Sequence, residues 1–451
     1  MAGAPALLGD VSFQLAAVVV QEKPITSKMS KVEQSRYSGT GPMSSTVIAL
    51  IPYSYPGGTA ASLRVYNFVE GLVANGQKVH VVSFYHMPSR RLKIDDYNAQ
   101  NVSEYFIFPG RNELQFKNLF YYRSKVSKSF CEIVQRITSK EKVQLVYIYD
   151  GTSYAYFNAV TKLVQQLKIP MTFDITELRD SNYSLRTFLF AKDITFKGKL
   201  SNLLLFPDYY SGKKAILKRA AFFISISTSL KKYLEVYGKP VIILPGFERF
   251  AGPPGKPNPM DKVTLLYVGS LIERDAPKTL KLVVQEVLDH HDHVEVKFIG
   301  RYGASINGKK LVEELQNRYG AQIVSLGQVR EDMMASELML ADILVLCRKD
   351  SLEERCAFPT RLAEYLALRK AILVSPIGDI PLYLEDGKDV GFVGVDDSGR
   401  LSDSSRGTIQ RIILDEDFRE KMAENGNRKG KRYFDNIRNA EEVLKQVQHQ
   451  S

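Results

Sequence analysis

The sequence predicts an α/β protein of two doubly wound, Rossmann-like domains facing each other across a cleft. Three observations carry that expectation. Short continuous apolar runs recur through both halves of the chain, the pattern of strands buried on both faces of a parallel sheet. Segments with helical apolar spacing alternate with them, which is the βαβ rhythm. A stretch dense in Pro and Gly, GFERFAGPPGKPNPMD at 246–261, divides the two sets and reads as a hinge. At 451 residues the chain is also too long for one ordinary core.

Residues 1–45 carry Ser, Gly, Pro and Lys without periodicity and are expected to form a flexible N-terminal extension. The apolar run 11–20 within them is short and follows Asp10 rather than a basic region, so it reads as extension and not as a signal peptide. The first domain is expected over 46–245. TVIALIP at 46–52 is its first strand, YSYPGGT at 53–59 a loop, and 60–74 a helix striped by Leu63, Phe68 and Leu72 and stopped by Asn75-Gly76. Further strands are expected at 79–84, 144–149, 171–175, 222–227 and 241–245, with a helix at 154–167. The second domain, 262–416, has expected strands at 263–268, 294–299, 322–325, 343–346 and 371–374. Helices fill its gaps around 278–288, 309–318, 333–339 and 361–368. A helical segment then closes the chain at 417–451.

Composition narrows the class. Hydrophobic content of 44% and charged content of 25% are those of a globular chain, and no uninterrupted apolar run is long enough for a membrane span. Three widely spaced cysteines, Cys131, Cys347 and Cys356, argue against a disulfide framework or a zinc site and fit a reducing cytoplasm. A net charge of +11 suggests an anionic partner: a nucleoside diphosphate, an anionic lipid or nucleic acid. The basic residues are spread out without a recognised module, so nucleic acid is not expected. Between 182 and 221, eight basic and two acidic residues interleave with aromatics and leucines. That mixture suits either an anionic membrane surface or ordinary amphipathic helices. DHHDH at 289–293 lies in a turn with its side chains diverging, and no metal site is expected.

Four places carry chemistry. Gly57 and Gly58 follow the first strand and precede a helix, where backbone N–H groups approach a phosphate. In YVGSLIERDAP at 267–277, Gly269 and a loop with Arg274 form a candidate diphosphate cradle, with Lys278 in reserve. In FDITELRD at 173–180, Asp174, Glu177, Arg179 and Asp180 cluster at a strand's carboxyl end. They either orient an acceptor hydroxyl or bind a phosphate, or form a self-contained salt-bridge cluster. The fourth place is DSLEERCAFPTRLAE, 350–364, opening the segment FPTRLAEYLALRKAILVSPIGDIPLYLEDG at 358–387. Glu364 on its helix is placed either to hold a ligand hydroxyl or to pair with Arg361 one turn earlier.

The segment 358–387, the loop at 53–59 followed by GQKVHVVSF, and the 267–277 loop together resemble glycosyltransferase family four. The resemblance spans roughly 46–448. It implies a GT-B fold and transfer of a sugar from a nucleotide-diphosphate sugar to a glycan or lipid-linked acceptor, with retention of configuration and without a bound metal or other cofactor. It places the chain in polysaccharide or glycolipid synthesis, in the cytoplasm or peripherally on the inner face of a membrane. Gly57, Gly58, Gly269, Ser270, Pro359, Thr360 and Glu364 are implied donor contacts, and Glu354, Arg274, Lys278 and Asp174 candidates for catalysis. The family has Gly-Arg where this chain has Gly269-Ser270, and a glutamate eight residues before Glu364, where this chain has Cys356. Glu354 or Glu353 is the carboxylate nearest to that gap. A GT-B scaffold of weak activity and a nucleotide-sugar 2-epimerase are the alternatives.

Overall fold

A computed structural model describes residues 45–57, 59–87, 101–108, 119–149, 154–178, 213–250, 262–301 and 306–450. The expected extension up to 44, Gly58, Asp150-Gly151, Arg179-Asp180, the basic stretch 182–212 and the later part of the hinge, 251–261, lie outside the described residues.

The first half runs β1 (Thr46–Pro56), α1 (Ala60–Ala74), β2 (Lys78–Met87), β3 (Val102–Phe106), α2 (Leu119–Thr138), β4 (Val143–Tyr149), α3 (Asn158–Gln166), β5 (Met171–Ile175), β6 (Phe222–Ser225), α4 (Thr228–Leu234) and β7 (Val241–Ile243). Its sheet is parallel throughout, in the order β3-β2-β1-β4-β5-β6-β7. The second half runs β8 (Val263–Val268), α5 (Pro277–Leu288), β9 (Val294–Ile299), α6 (Ile306–Tyr319), β10 (Ile323–Gly327), α7 (Glu331–Leu340), β11 (Ile343–Leu346), α8 (Leu352–Cys356), α9 (Thr360–Ala367), β12 (Ala371–Val374), α10 (Ile380–Tyr383) and β13 (Gly391–Phe392). Three helices follow: α11 (Asp403–Leu414), α12 (Glu416–Phe434) and α13 (Asn436–Gln448). The second sheet is also parallel, ordered β10-β9-β8-β11-β12-β13.

Both sheets therefore reverse direction beside their first strand, between β1 and β4 and between β8 and β11. In a doubly wound sheet the crevice at that reversal, at the carboxyl ends of the strands, is where ligands bind. The central strands are continuous apolar runs because both faces are covered: Val47–Ile51 and Ile343–Val345 have no exposed surface.

Local chemistry explains α1 and its partner. The Thr59 hydroxyl accepts the Ser62 amide at 3.0 Å and starts the helix, and Gly76 at φ +76° ends it. Gly71 lets α13 lie close: a Cβ there would stand 2.2 Å from the Asn436 carbonyl oxygen. Asn436 Nδ2 donates to the Asn67 carbonyl at 3.0 Å and to Glu70 Oε2 at 2.9 Å. Ala440, Val443 and Val447 then join Val65, Phe68, Val69 and Leu72 in one buried cluster. The chain's last helix is thus part of the first domain's core. The closing helical stretch is not continuous: Asp435 breaks it and caps α13 by accepting the Arg438 amide at 3.0 Å. Among the described residues no helix is long and apolar enough to cross a membrane.

Candidate active site

A cavity of about 800 Å³ opens along the carboxyl ends of the second sheet. Lys278 and Thr279 at the start of α5, Asn307 on α6, Arg348 after β11, Ser375 after β12 and Val393 after β13 line it. Ser375 ties two of these walls together, since its hydroxyl accepts the Arg348 amide at 3.1 Å. Behind them the Cys347 thiol is pushed up to about 12, mainly by burial, and is inert.

A second cavity, of about 370 Å³, lies in the cleft itself. The first domain contributes Tyr53, Ala60, Arg64, Tyr149, Thr176 and Glu177. The facing wall includes Gly269, Ser270, Arg274, Asp275, Pro359 and Thr360. Expected donor contacts from the second domain thus gather here, while Lys278 stands in the larger cavity next door. Arg348 lines both.

The first loop is arranged differently from the sequence expectation. The Gly57 amide donates to the Met87 carbonyl at 2.9 Å, and the Gly57 carbonyl accepts the Ser54 hydroxyl at 2.8 Å. Its backbone is committed within the first sheet, because β1 continues through Pro56 and pairs with β2 as far as Met87. A phosphate therefore has no Gly57 N–H to bind.

Asp174 is likewise turned inward. Arg64 grips it with two bonds, Nε to Oδ2 at 2.8 Å and Nη2 to Oδ1 at 3.0 Å, and the Tyr147 hydroxyl donates to Oδ2 at 2.6 Å. Asp174 is fully buried, so it does not reach an acceptor hydroxyl. Arg64 is buried too, and not on the surface. It also donates to the Leu244 and Pro245 carbonyls at 2.9 and 3.3 Å, and its guanidinium lies 4.6 Å from the centre of the Phe247 ring. Burial opposes the charge on Arg64, but Asp174 outweighs it and holds the guanidinium protonated. Burial and the Asp174 charge together push the Tyr147 hydroxyl far up, so it stays a donor. This assembly fixes the floor of the cleft where the chain leaves the first sheet.

On the opposite wall stands a compact charge cluster. Arg274 Nε meets Glu354 Oε1 at 2.8 Å, and Arg348 Nη1 meets Asp275 Oδ1 at 2.9 Å. Arg348 Nε lies 3.9 Å from Glu354 Oε2, and Lys349 pairs with Glu273 at the rim. Burial raises the Glu354 carboxyl above its ordinary range, against the pull of Arg274 and Arg348. Burial, then the neighbouring Arg274 charge, draws Arg348 below its usual value. Glu354 lines neither cavity; it stands as the counterion behind two arginines, where the sequence expectation set it against a sugar. Cys356 is fully buried; its thiol is pushed up to about 11 by burial, and its carbonyl accepts the Ser227 hydroxyl across the cleft at 2.8 Å.

Glu364 occupies a third position. It lies one turn beyond Thr360 on the same face of α9, in a small gap of about 20 Å³ lined also by Arg64 and Asn67. That seam between the domains adjoins the cleft cavity, with which it shares Ala60, Arg64 and Thr360. Arg361 donates to the Val268 carbonyl, anchoring α9 to β8. A second seam contact is Asp379, which accepts the Thr228 amide at 2.6 Å and the Thr228 hydroxyl at 2.5 Å. Sequence reasoning passed over Arg348, Ser375 and Asp379. The signal for Arg348 was available: it follows the strand that flanks the reversal point of the second sheet.

Residues 252–429 match the family model described as Glycosyl transferases group 1. No curated protein matches the chain. Among solved structures it is similar to a sucrose-phosphate synthase from Thermosynechococcus elongatus, with 16% identity, a TM-score of 0.58, and 90% of this chain and all of that one covered. Anabaena HepE, solved with UDP and glucose, gives 13% identity and a TM-score of 0.58 over 89% of this chain and 99% of that one. The trehalose-6-phosphate synthase OtsA gives 10% identity and a TM-score of 0.60 over 90% and 99%. At these identities the likeness shows the fold: two Rossmann-like domains in the GT-B arrangement.

Proposed function

We propose that this chain transfers a glycosyl group from a nucleoside-diphosphate sugar to a hydroxyl of a glycan or lipid-linked acceptor, with retention of configuration. The observation that carries the reading is the pair of adjoining cavities at the reversal point of the second sheet, one sized for a nucleoside and one open to the facing domain. The family match over 252–429 and the GT-B fold support the same class. The UDP and glucose bound to Anabaena HepE make UDP-glucose the first donor to try.

In this reading the nucleoside enters the larger cavity and the sugar points into the cleft toward Tyr53, Tyr149 and Glu177. The bond between the sugar C1 and the β-phosphate oxygen breaks, and its electron pair leaves with the diphosphate. The acceptor oxygen forms the new bond to C1 on the same face, and its proton passes to the departing phosphate. Arg274 and Lys278 stabilise the charge that grows on the leaving group. Glu364 and Asp379, at the seam, couple this chemistry to the relative position of the domains, and closure keeps water from the sugar. Attachment to an anionic membrane through the stretch 182–221 belongs to the same proposal, since it would bring a lipid-linked acceptor to the cleft.

One observation favours a scaffold of weak activity: the position of the family's first glutamate is a buried cysteine, and Glu354 is held by arginines. A thermal-shift panel of UDP, GDP and ADP separates the two. A transferase site filled at a hundred times its Kd stabilises the protein by about 2.7 kcal/mol with one of the three. No shift with any of them would sink the donor site and leave the scaffold.

A further inference from the structure

We propose that Arg348 receives the diphosphate of the donor, adding phosphate oxygens to the carboxylates it already holds, and so supplies from β11 the guanidinium that the Gly269-Ser270 step lacks. This rests on the nucleotide-sugar reading above.

Position is the first argument. Arg348 is the residue common to the linings of both cavities. A ligand with its nucleoside in the larger cavity and its sugar in the cleft must pass its diphosphate across that guanidinium. Ser270, at the corresponding step after β8, offers the cleft only a hydroxyl.

The state of the side chain points the same way. Arg348 Nη1 is bonded to Asp275, while Nε is buried and has no hydrogen-bond partner; the nearest carboxylate oxygen, on Glu354, is 3.9 Å away. A planar fork with an unused donor matches two phosphate oxygens at once. Buried donors are almost always satisfied in a finished network, so this one marks a place where a partner belongs.

Charge agrees with both. Arg274, Arg348 and Arg361 face the carboxylates Asp275, Glu354 and Glu177, and Arg274 and Arg348 share Glu354. A diphosphate relieves that sharing: Arg274 and Arg348 each gain an anionic partner, while Asp275 and Glu354 remain behind to hold the forks in place. The backbone amide of Arg348, fixed on Ser375 at 3.1 Å, keeps the residue at the shared wall while the ligand binds.

The test is a calorimetric titration with three pairs, UDP and UMP, GDP and GMP, ADP and AMP, using the pair whose diphosphate binds most tightly. Arg348→Gln should weaken the diphosphate by about ten- to a hundredfold and the monophosphate by less than about threefold. Arg348→Lys, which keeps the charge but not the fork, should lie between wild type and Gln for the diphosphate only. Equal losses for both nucleotides, or no loss, would overturn the assignment while leaving the nucleotide-sugar reading intact. A wild-type protein that binds none of the six overturns that reading and this inference with it. If neither variant folds, Arg348 is a structural ion-pair residue and the assignment falls.

Discussion

Replacing Asp174 with alanine is expected to destabilise the first domain by about 3–5 kcal/mol, because it leaves Arg64 charged, buried and without its carboxylate. Both side chains are almost wholly out of solvent, and three hydrogen bonds converge on the one carboxylate. The guanidinium cannot swing into water, since it is also held by the Leu244 and Pro245 carbonyls and lies against Phe247. Tyr147→Phe, which removes one donor and leaves the ion pair, should cost only about 1 kcal/mol. Urea unfolding of both variants checks the pair. An Asp174→Ala cost below about 1 kcal/mol would mean that the inward-facing strut is not what holds the cleft floor. The effect should also reach function, because Arg64 lines the cleft cavity that Asp174 positions.

Gly300→Ala should cost about 3 kcal/mol or more and remove nucleotide binding as well. Gly300 follows β9 at φ +143°, a region strained for any other residue, and a Cβ there would stand 1.8 Å from the Gly269 carbonyl oxygen. Neither backbone can yield cheaply: the Gly300 amide donates to Gly327 at 2.8 Å and the Gly269 amide to Ile299 at 2.9 Å. Displacing Gly269 displaces the loop that carries Ser270, Arg274 and Asp275. Thermal unfolding and titration with UDP or GDP read the two effects together. A variant of wild-type stability that binds nucleotide normally would contradict the close approach.

The strands were the most legible part of the chain. Val263–Val268, Ile343–Leu346 and Ala371–Val374 are short, largely apolar runs, Met171–Ile175 and Val294–Ile299 intersperse polar residues among apolar ones, and each forms a strand with those limits. The helix Ala60–Ala74 was equally clear, because Thr59 and Asn75-Gly76 punctuate it. Edge strand β3, VSEYF, is half-exposed and mixes polar with apolar residues, so it lacks the signal of a buried strand. The helix Leu119–Thr138 carries an apolar stripe, Val126, Phe130, Ile133, Val134 and Ile137, all buried, so its periodicity was legible and sequence reasoning passed it over. At 391–392, β13 is too short to read at all.

The site was legible as loops and not as partners. Strand-end position identified the 269–278 loop, and the structure brings most of it to the cavities. Whether a charged residue faces ligand or neighbour depends on what arrives from elsewhere in the chain. Asp174 reads as a cleft carboxylate until Arg64, 110 residues earlier, is known to hold it. Glu354 reads as a sugar contact from its local string, and only the fold shows that Arg274 and Arg348 flank it. Cys356 is buried because α8 packs it into the core beneath the cleft, and nothing local to DSLEERCAF announces that.

The central claim is that the donor occupies the joined cavities at the reversal point of the second sheet. A crystal of the protein soaked with UDP-glucose, or with whichever nucleoside-diphosphate sugar shifts its melting most, tests that directly. The account predicts density for the nucleoside among Lys278, Ser375 and Val393, two phosphates beside Arg348 and Arg274, and the sugar facing Tyr149 and Glu177. A nucleotide bound elsewhere, or cavities left empty at saturating ligand, would contradict it.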